Sequence, residues 1–376
     1  MKNITLIFSL LTLFYSATAA LETTADTAII RILAMENDSN KVNSFYTVGR
    51  HSGNSDLQKT VFCFTKAIEI SEKIKFYKGY RKSSFALVNF LSNNEMFEAA
   101  SDYGIKGFDF FTKYKNTPDK SEMAGLLGNL FAHTGKYPLS LLYLTIKGNY
   151  DLETNNFKSY GIILQQKGRV YYDKQQYDSS LINTIWAAEI FKRNNMGVEH
   201  GNSLLGLAKI YIKKNKIENA QNKISEASSI FNANTNLTGL MHAHMLQAEI
   251  FDLNQKPDSA EIFLNKALLL ADSTNAIHAK VEIYKSLIQF NELKKDYKVS
   301  FEYQSQYEKY RDEIINNAQK AQNTELLIKV YLLENKIIEK EKELDYAYKQ
   351  KVFIILLLII IGFLLVNYYK TKTIKS

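Results

Sequence analysis

The chain is poor in the residues that break or staple a fold, with three prolines, one cysteine and sixteen glycines in 376 residues. One cysteine, Cys63, excludes an internal disulfide, so stability has to come from packing. So few prolines leave long stretches free to be helical. Pro138 and Pro257 follow polar pairs, where the first turn of a helix tolerates a missing N–H. Signatures of chemistry are missing too: there is no H-E-x-x-H, C-x-x-C, G-x-S-x-G or phosphate-binding glycine loop. The histidines are His51, His133, His200, His242, His244 and His278; the pair His242 and His244, two apart on a helix, points to different faces and cannot share a metal. The chain therefore reads as a non-enzyme with no catalytic residues, no metal and no cofactor. Its formal net charge is +8, but basic and acidic residues alternate along the chain rather than forming a basic stripe, which argues against nucleic acid as a partner.

What the sequence has instead is a period of forty. Thr60, Ala100, Ser140, Ser180, Ala220, Ala260 and Ser300 form a ladder of small side chains. Twelve residues upstream run Val48, Val88, Gly128, Gly168, Ala208, Ala248 and Ile288; nine upstream come large residues such as Leu91, Phe131, Tyr171, Tyr211 and Phe251. Seven downstream are Ala67, Gly107, Ala187, Ala227 and Ala267, with Lys147 and Tyr307 breaking the rule. Small and large residues at helical spacing suit two packed helices, where a small residue on one admits a large residue from its neighbour. Polar pairs such as Gly135-Lys136, Gln175-Gln176 and Asn215-Lys216 mark tight turns inside each unit, and longer polar stretches such as 116–119 and 232–236 are expected between units. The fold class is all-α, a solenoid of helix hairpins.

Leu164, Gly168, Tyr171, Tyr177, Ser180 and Ala187, echoed by Leu204, Ala208, Tyr211, Ala220 and Ala227, resemble the tetratricopeptide (TPR) signature of small residues at positions 8, 20 and 27 with an aromatic at 11. The resemblance covers about residues 41 to 315, some seven units, with a period of 40 in place of the common 34 that helices longer by under one turn each would absorb. It implies a right-handed solenoid that binds a protein or peptide. In such scaffolds the first helix of each unit lines the concave face, and the residue after position 8 points into it. That implies a groove lined by Asn89, Asn129, Arg169, Lys209, Glu249 and Gln289, joined by Phe85, His133, Gln165, Tyr172 and Lys213. Amides, two cations and an acid would suit an extended peptide or an anionic group, or would simply be solvated helix residues.

The two ends carry addresses. Met1-Lys2, an apolar run from Ile4 to Tyr15 and Ala17-Thr18-Ala19 read as a signal peptide over 1–19, followed by a capping segment over 20–40. Residues 352–369 form an aliphatic run long enough to span a membrane, leaving 370–376 as a short cytoplasmic tail. Between repeats and span, 316–351 holds no glycine or proline and takes a heptad, with Asn323, Val330, Ile337, Leu344 and Lys351 at a and Leu326, Leu333, Lys340 and Ala347 at d. This stalk is read either as a parallel coiled-coil homodimer or as a single helix packed on the last repeat. The order of parts is similar to the sensor portion of bacterial membrane-bound TPR regulators, without their cytoplasmic output domain. The resemblance implies a single-pass inner-membrane protein with periplasmic repeats and a sensory or adaptor role; the alternative is an envelope assembly scaffold.

Overall fold

A computed structural model of the chain describes residues 27–320 and 322–326, with 330, 348 and 351. The expected signal peptide, the span over 352–369, the tail and most of the stalk lie outside the described residues. Two helices open the array, α1 (Thr27–Leu33) and α2 (Ser39–Ser52). Then come α3 (Leu57–Lys73), α4 (Tyr77–Asn93), α5 (Phe97–Lys113), α6 (Thr117–His133), α7 (Tyr137–Glu153) and α8 (Phe157–Asp173). The series continues with α9 (Tyr177–Arg193), α10 (Gly197–Lys213), α11 (Ile217–Ala233), α12 (Leu237–Leu253), α13 (Pro257–Ser273) and α14 (Ile277–Leu293), and α15 covers residues 297–320. All described residues outside turns are helical, so the expected all-α repeat solenoid is what the chain builds.

From α3 to α14 every helix has 17 residues, and every connection, including that to α15, is three residues long. Twenty residues thus make one step and forty make one hairpin. The sequence suggested longer connections between units than within them, and here the structure differs. Polar residues such as Thr117, Pro118 and Asp119 belong to the first turn of α6 rather than to a loop. Each connection closes in the same way. At the α8–α9 turn, Gln176 N–H donates to the Tyr171 carbonyl at 2.8 Å and Gln175 N–H to that of Tyr172 at 2.8 Å, the paired bonds that satisfy the last carbonyls of a helix. The motif needs one left-handed residue per turn. Gly135 supplies it once, at φ 70°, and eleven non-glycine residues from Lys75 (φ 57°) to Lys295 (φ 62°) supply it elsewhere. Asparagine, the L-residue most tolerant of that conformation, takes four of these places: Asn155, Asn195, Asn215 and Asn275.

The small-residue ladders sit where paired helices come closest. Ser140 Oγ donates to the Gly128 carbonyl and Ser180 Oγ to that of Gly168, both at 2.7 Å, pinning each second helix to the one before it. A Cβ on Gly128 would stand 2.6 Å from Leu144, and one on Gly168 would stand 2.5 Å from Thr184 Oγ1. Lys147, which breaks the position-27 ladder, is buried in an ionic cluster. Its amine lies 2.8 Å from Asp151 Oδ1 and 3.4 Å from Glu122 Oε2, and Ser159 Oγ donates to Asp151 Oδ2 at 2.7 Å.

The even-numbered helices α4 to α14 lie side by side on one wall, with the odd-numbered helices behind them. Tyr303 and Tyr310 of α15 pack against Tyr284 of α14, with ring centroids 6.0 and 5.9 Å apart. The helix runs unbroken past 315 to 320, and beyond it Glu325 reaches back to α5, where its Oε1 accepts the Ala99 N–H at 3.1 Å.

The expected inner-membrane, single-pass localisation is corrected. Among the described residues no helix is long and apolar enough to cross a membrane. A 17-residue helix is about 25 Å long, short of the roughly 30 Å hydrocarbon core, and each carries a polar face for the groove or for solvent.

Candidate partner-binding groove

The inner wall is indented by three consecutive clefts of about 390, 420 and 400 Å³ that share lining residues. They arise because the residue after each position-8 residue is one step of the helix away from the hairpin interface, so it faces the opening while its neighbour packs.

The first cleft contains Asn89, Asn129, His133, Gln165 and Arg169. The second contains Gln165, Arg169, Tyr172 and Lys209, and the third Lys209, Glu249 and Gln289. Arg169 and Lys209, forty residues apart, thus share one cleft. Lys213 stands beside the third cleft and pairs with Glu249 at 3.3 Å; that carboxylate holds its amine pKa above the ordinary lysine value. Phe85 does not join the groove. Its ring stacks on Phe111 at 5.7 Å and lies under the Arg81 guanidinium at 5.4 Å, so it belongs to the core edge.

Sequence reasoning missed a second row. Ile162, Asn202, His242 and Glu282 recur every forty residues, seven before the first row, and line the same clefts. Two helical turns of offset put both rows on one face, and that spacing could have found them. Asp173 and Asp252 also line the wall. The groove is graded: amides and His133 near α4 and α6, cations on α8 and α10, acids on α12 and α14.

Its electrostatics follow from partial burial. Burial lifts the Asp173 pKa above the ordinary carboxylate value, against the pull of Arg169 and Lys209. Burial also lowers His133 and His242, helped by Arg169 in the first case and Lys209 in the second. Gln165 Nε2 donates to Ser203 Oγ at 3.0 Å, which ties α8 to α10. The side-chain oxygen of Gln166, which lines the first and second clefts, is buried without a hydrogen-bond partner. Among the described residues Arg169 and Lys209 make no ion pair, and no cluster of His, Cys, Asp and Glu could hold a metal. The wall therefore offers fixed charges and one unmet acceptor to something extended.

Neither a protein-family model nor a curated protein sequence matches the chain. Solved structures do share its fold. The apo form of RapI superposes with a TM-score of 0.61 at 12% identity, covering 73% of this chain and 99% of that one. The apo quorum sensor NprR from B. thuringiensis gives 0.56 at 14% identity over 83% and 86%, and aspartyl phosphate phosphatase F from Bacillus subtilis gives 0.56 at 13% over 77% and 74%. At these identities the likeness shows the fold alone, a TPR-like helical-repeat solenoid.

Proposed function

We propose that this chain binds an extended peptide or a peptide-like segment of a partner protein along the inner wall and acts as the recognition part of a signalling system. The observation that carries the reading is the second cleft, where Arg169 and Lys209 converge without an ion pair beside the unmet Gln166 oxygen. An extended backbone supplies both things this wall lacks: N–H donors for a buried acceptor and a carboxylate for paired cations. Fold likeness to the quorum sensor, and to a Rap protein solved in complex with competence and sporulation factor (TM-score 0.51, 14% identity), supports a peptide ligand by analogy alone.

The test is partner capture from cross-linked cells that make the protein, followed by affinity measurement on the captured species. Arg169→Glu with Lys209→Glu should weaken binding by about 2 to 5 kcal/mol, with folding nearly unchanged. Lys192→Glu with Lys266→Glu, on odd-numbered helices, is the charge-matched control and should bind normally. Equal loss from both pairs would overturn the groove as the site. A scaffold reading is favoured by Leu142, Ile182, Ile185 and Trp186, all exposed on the outer side of α7 and α9. It expects capture to survive the groove variant.

A further inference from the structure

The outer side of the solenoid holds a cleft of its own. Helices α3 and α5 part over α4 to leave a cavity of about 460 Å³, and none of its lining residues lines the three groove clefts. Its floor is aromatic. Phe62 and Phe110 are buried there, and so is Tyr80, whose ring lies on Phe110 with centroids 3.5 Å apart. Tyr103 belongs to the α5 wall. The volume lies within the range of small-ligand sites.

Two polar groups of this cleft are short of partners. Among the described residues the Tyr80 hydroxyl, on a side chain only 4% exposed, has the Lys106 carbonyl at 3.4 Å and nothing nearer. The Tyr103 hydroxyl has Thr65 Oγ1 at 3.5 Å. An O–H···O bond is ordinarily about 2.7 to 2.8 Å long, so both phenols keep most of their donating power. Burial raises both pKa values, aided by Glu72 and Asp109 at Tyr80 and by Glu69 and Asp102 at Tyr103, so each stays a donor at neutral pH.

The charges at the mouth are sorted by wall. The α3 wall carries Lys66, Glu69 and Glu72, one base against two acids, and Lys66 pairs with Glu69 at 3.1 Å. The α5 wall carries Lys106, Asp109 and Lys113, two bases against one acid. One wall thus has an excess negative charge and the other an excess positive charge. Among the described residues Glu72, Lys106 and Lys113 make no ion pair. The Lys106 amine stands 5.1 Å from the centre of the Tyr103 ring, which puts a cation and a phenol in one corner of the cleft.

We propose that this cleft is a second binding site, for a free aromatic amino acid. Its ring lies on the floor of Phe62, Tyr80 and Phe110, its carboxylate meets Lys106 and the Tyr103 hydroxyl, and its ammonium faces Glu72. Each part of such a zwitterion answers one feature of the cleft: the aromatic floor, the unused phenol donors and the opposed charges of the two walls. The site is independent of the peptide groove.

Equilibrium dialysis of the purified full chain tests it with three probes of one shape: L-phenylalanine, phenethylamine, which lacks the carboxylate, and 3-phenylpropionate, which lacks the amine. L-Phenylalanine should bind, and each analogue about tenfold more weakly, the effect of losing one charge-assisted hydrogen bond. Lys106→Glu should weaken L-phenylalanine and 3-phenylpropionate about tenfold and spare phenethylamine. Glu72→Lys should weaken L-phenylalanine and phenethylamine and spare 3-phenylpropionate. Both side chains are exposed, so circular dichroism melts should not move. Failure of L-phenylalanine to bind at millimolar concentration, or equal affinity for the native chain and both variants, overturns the site. Arg169→Glu with Lys209→Glu should leave this binding intact even where it abolishes partner capture; loss of L-phenylalanine in that variant would move the ligand to the inner wall and overturn the outer site.

Discussion

Between α3 and α6 the core is filled with rings. Tyr80 lies on Phe110 with centroids 3.5 Å apart, and Phe64, Phe111 and Phe131 fill the space around them. Between α10 and α13 the core is mostly aliphatic, with Ala208, Ala220, Ala227 and Ala260 beside Leu204, Leu246, Ile250 and Leu264, and one fully buried ring, Phe231. Yet both blocks have 17-residue helices and the same three-residue turns. Large side chains are thus exchangeable filler, and what the blocks share is a close approach at fixed positions. The aromatic block reaches it with glycine: a Cβ on Gly104 would come within 2.7 Å of Leu127, and one on Gly107 within 2.9 Å of Met123. The aliphatic block reaches it with alanine at Ala208, Ala220 and Ala227, and with glycine at Gly201 and Gly239, where a Cβ would come within 2.7 and 2.4 Å of Phe231.

The blocks meet at α7 and α8, where the core thins to Leu144, Ile163 and Val170 and the Lys147–Asp151 cluster takes its place. Breaking that joint should have the largest effect. Asp151→Ala leaves a buried amine with only Glu122 at 3.4 Å and should cost about 3 to 5 kcal/mol. Guanidinium unfolding followed by Trp186 fluorescence and by circular dichroism should then show the blocks separating into two transitions. If the joint serves only as packing, Lys147→Met with Asp151→Leu should restore a single transition.

Position 8 sharpens the comparison at the next level. Gly128→Ala drives a methyl into Leu144 and should destabilise by about 1 to 3 kcal/mol despite the better helix propensity of alanine. The reverse change in the other block, Ala208→Gly, should cost about 1 kcal/mol. Thermal melts of both variants check this, and a stabilised Gly128→Ala would show that the aromatic block has slack. The smallest effect expected concerns pH. Burial pushes His200, His242 and His244 below the ordinary histidine value, and all three lie on α10 and α12. A depressed histidine stabilises fully above its unfolded pKa of about 6.5 and loses that contribution as pH falls below it. Between pH 7 and 5 the aliphatic block should lose protection in hydrogen exchange sooner than the aromatic block, which has only His133 shifted in this way.

The period of forty made the hairpins, their turns and the first groove row readable, because Thr60 through Ser300 and Asn89 through Gln289 are local repeats with a helical meaning. Other features were hidden for stated reasons. Turn residues such as Asn116 to Asp119 look like a loop until Asn116 is seen capping the Asp119 amide. Lys147 looks like an error in a ladder until Asp151 is seen buried beside it. Phe85 has the right spacing for the groove, but the ring of Phe111 claims it. Glu325 carries no local signal at all, since its partner lies 226 residues away.

One consequence of the uniform turns concerns how such a gene can change. Inner and outer helices are joined by the same three-residue connection in both directions, so duplicating or deleting twenty residues would disturb no loop. It would, however, turn every later helix inside out, sending the Arg169 and Lys209 row to the back and the alanine ladders to the front. Only steps of forty preserve facing. The length of the groove, and with it the length of whatever lies along it, is quantised in the currency of whole hairpins.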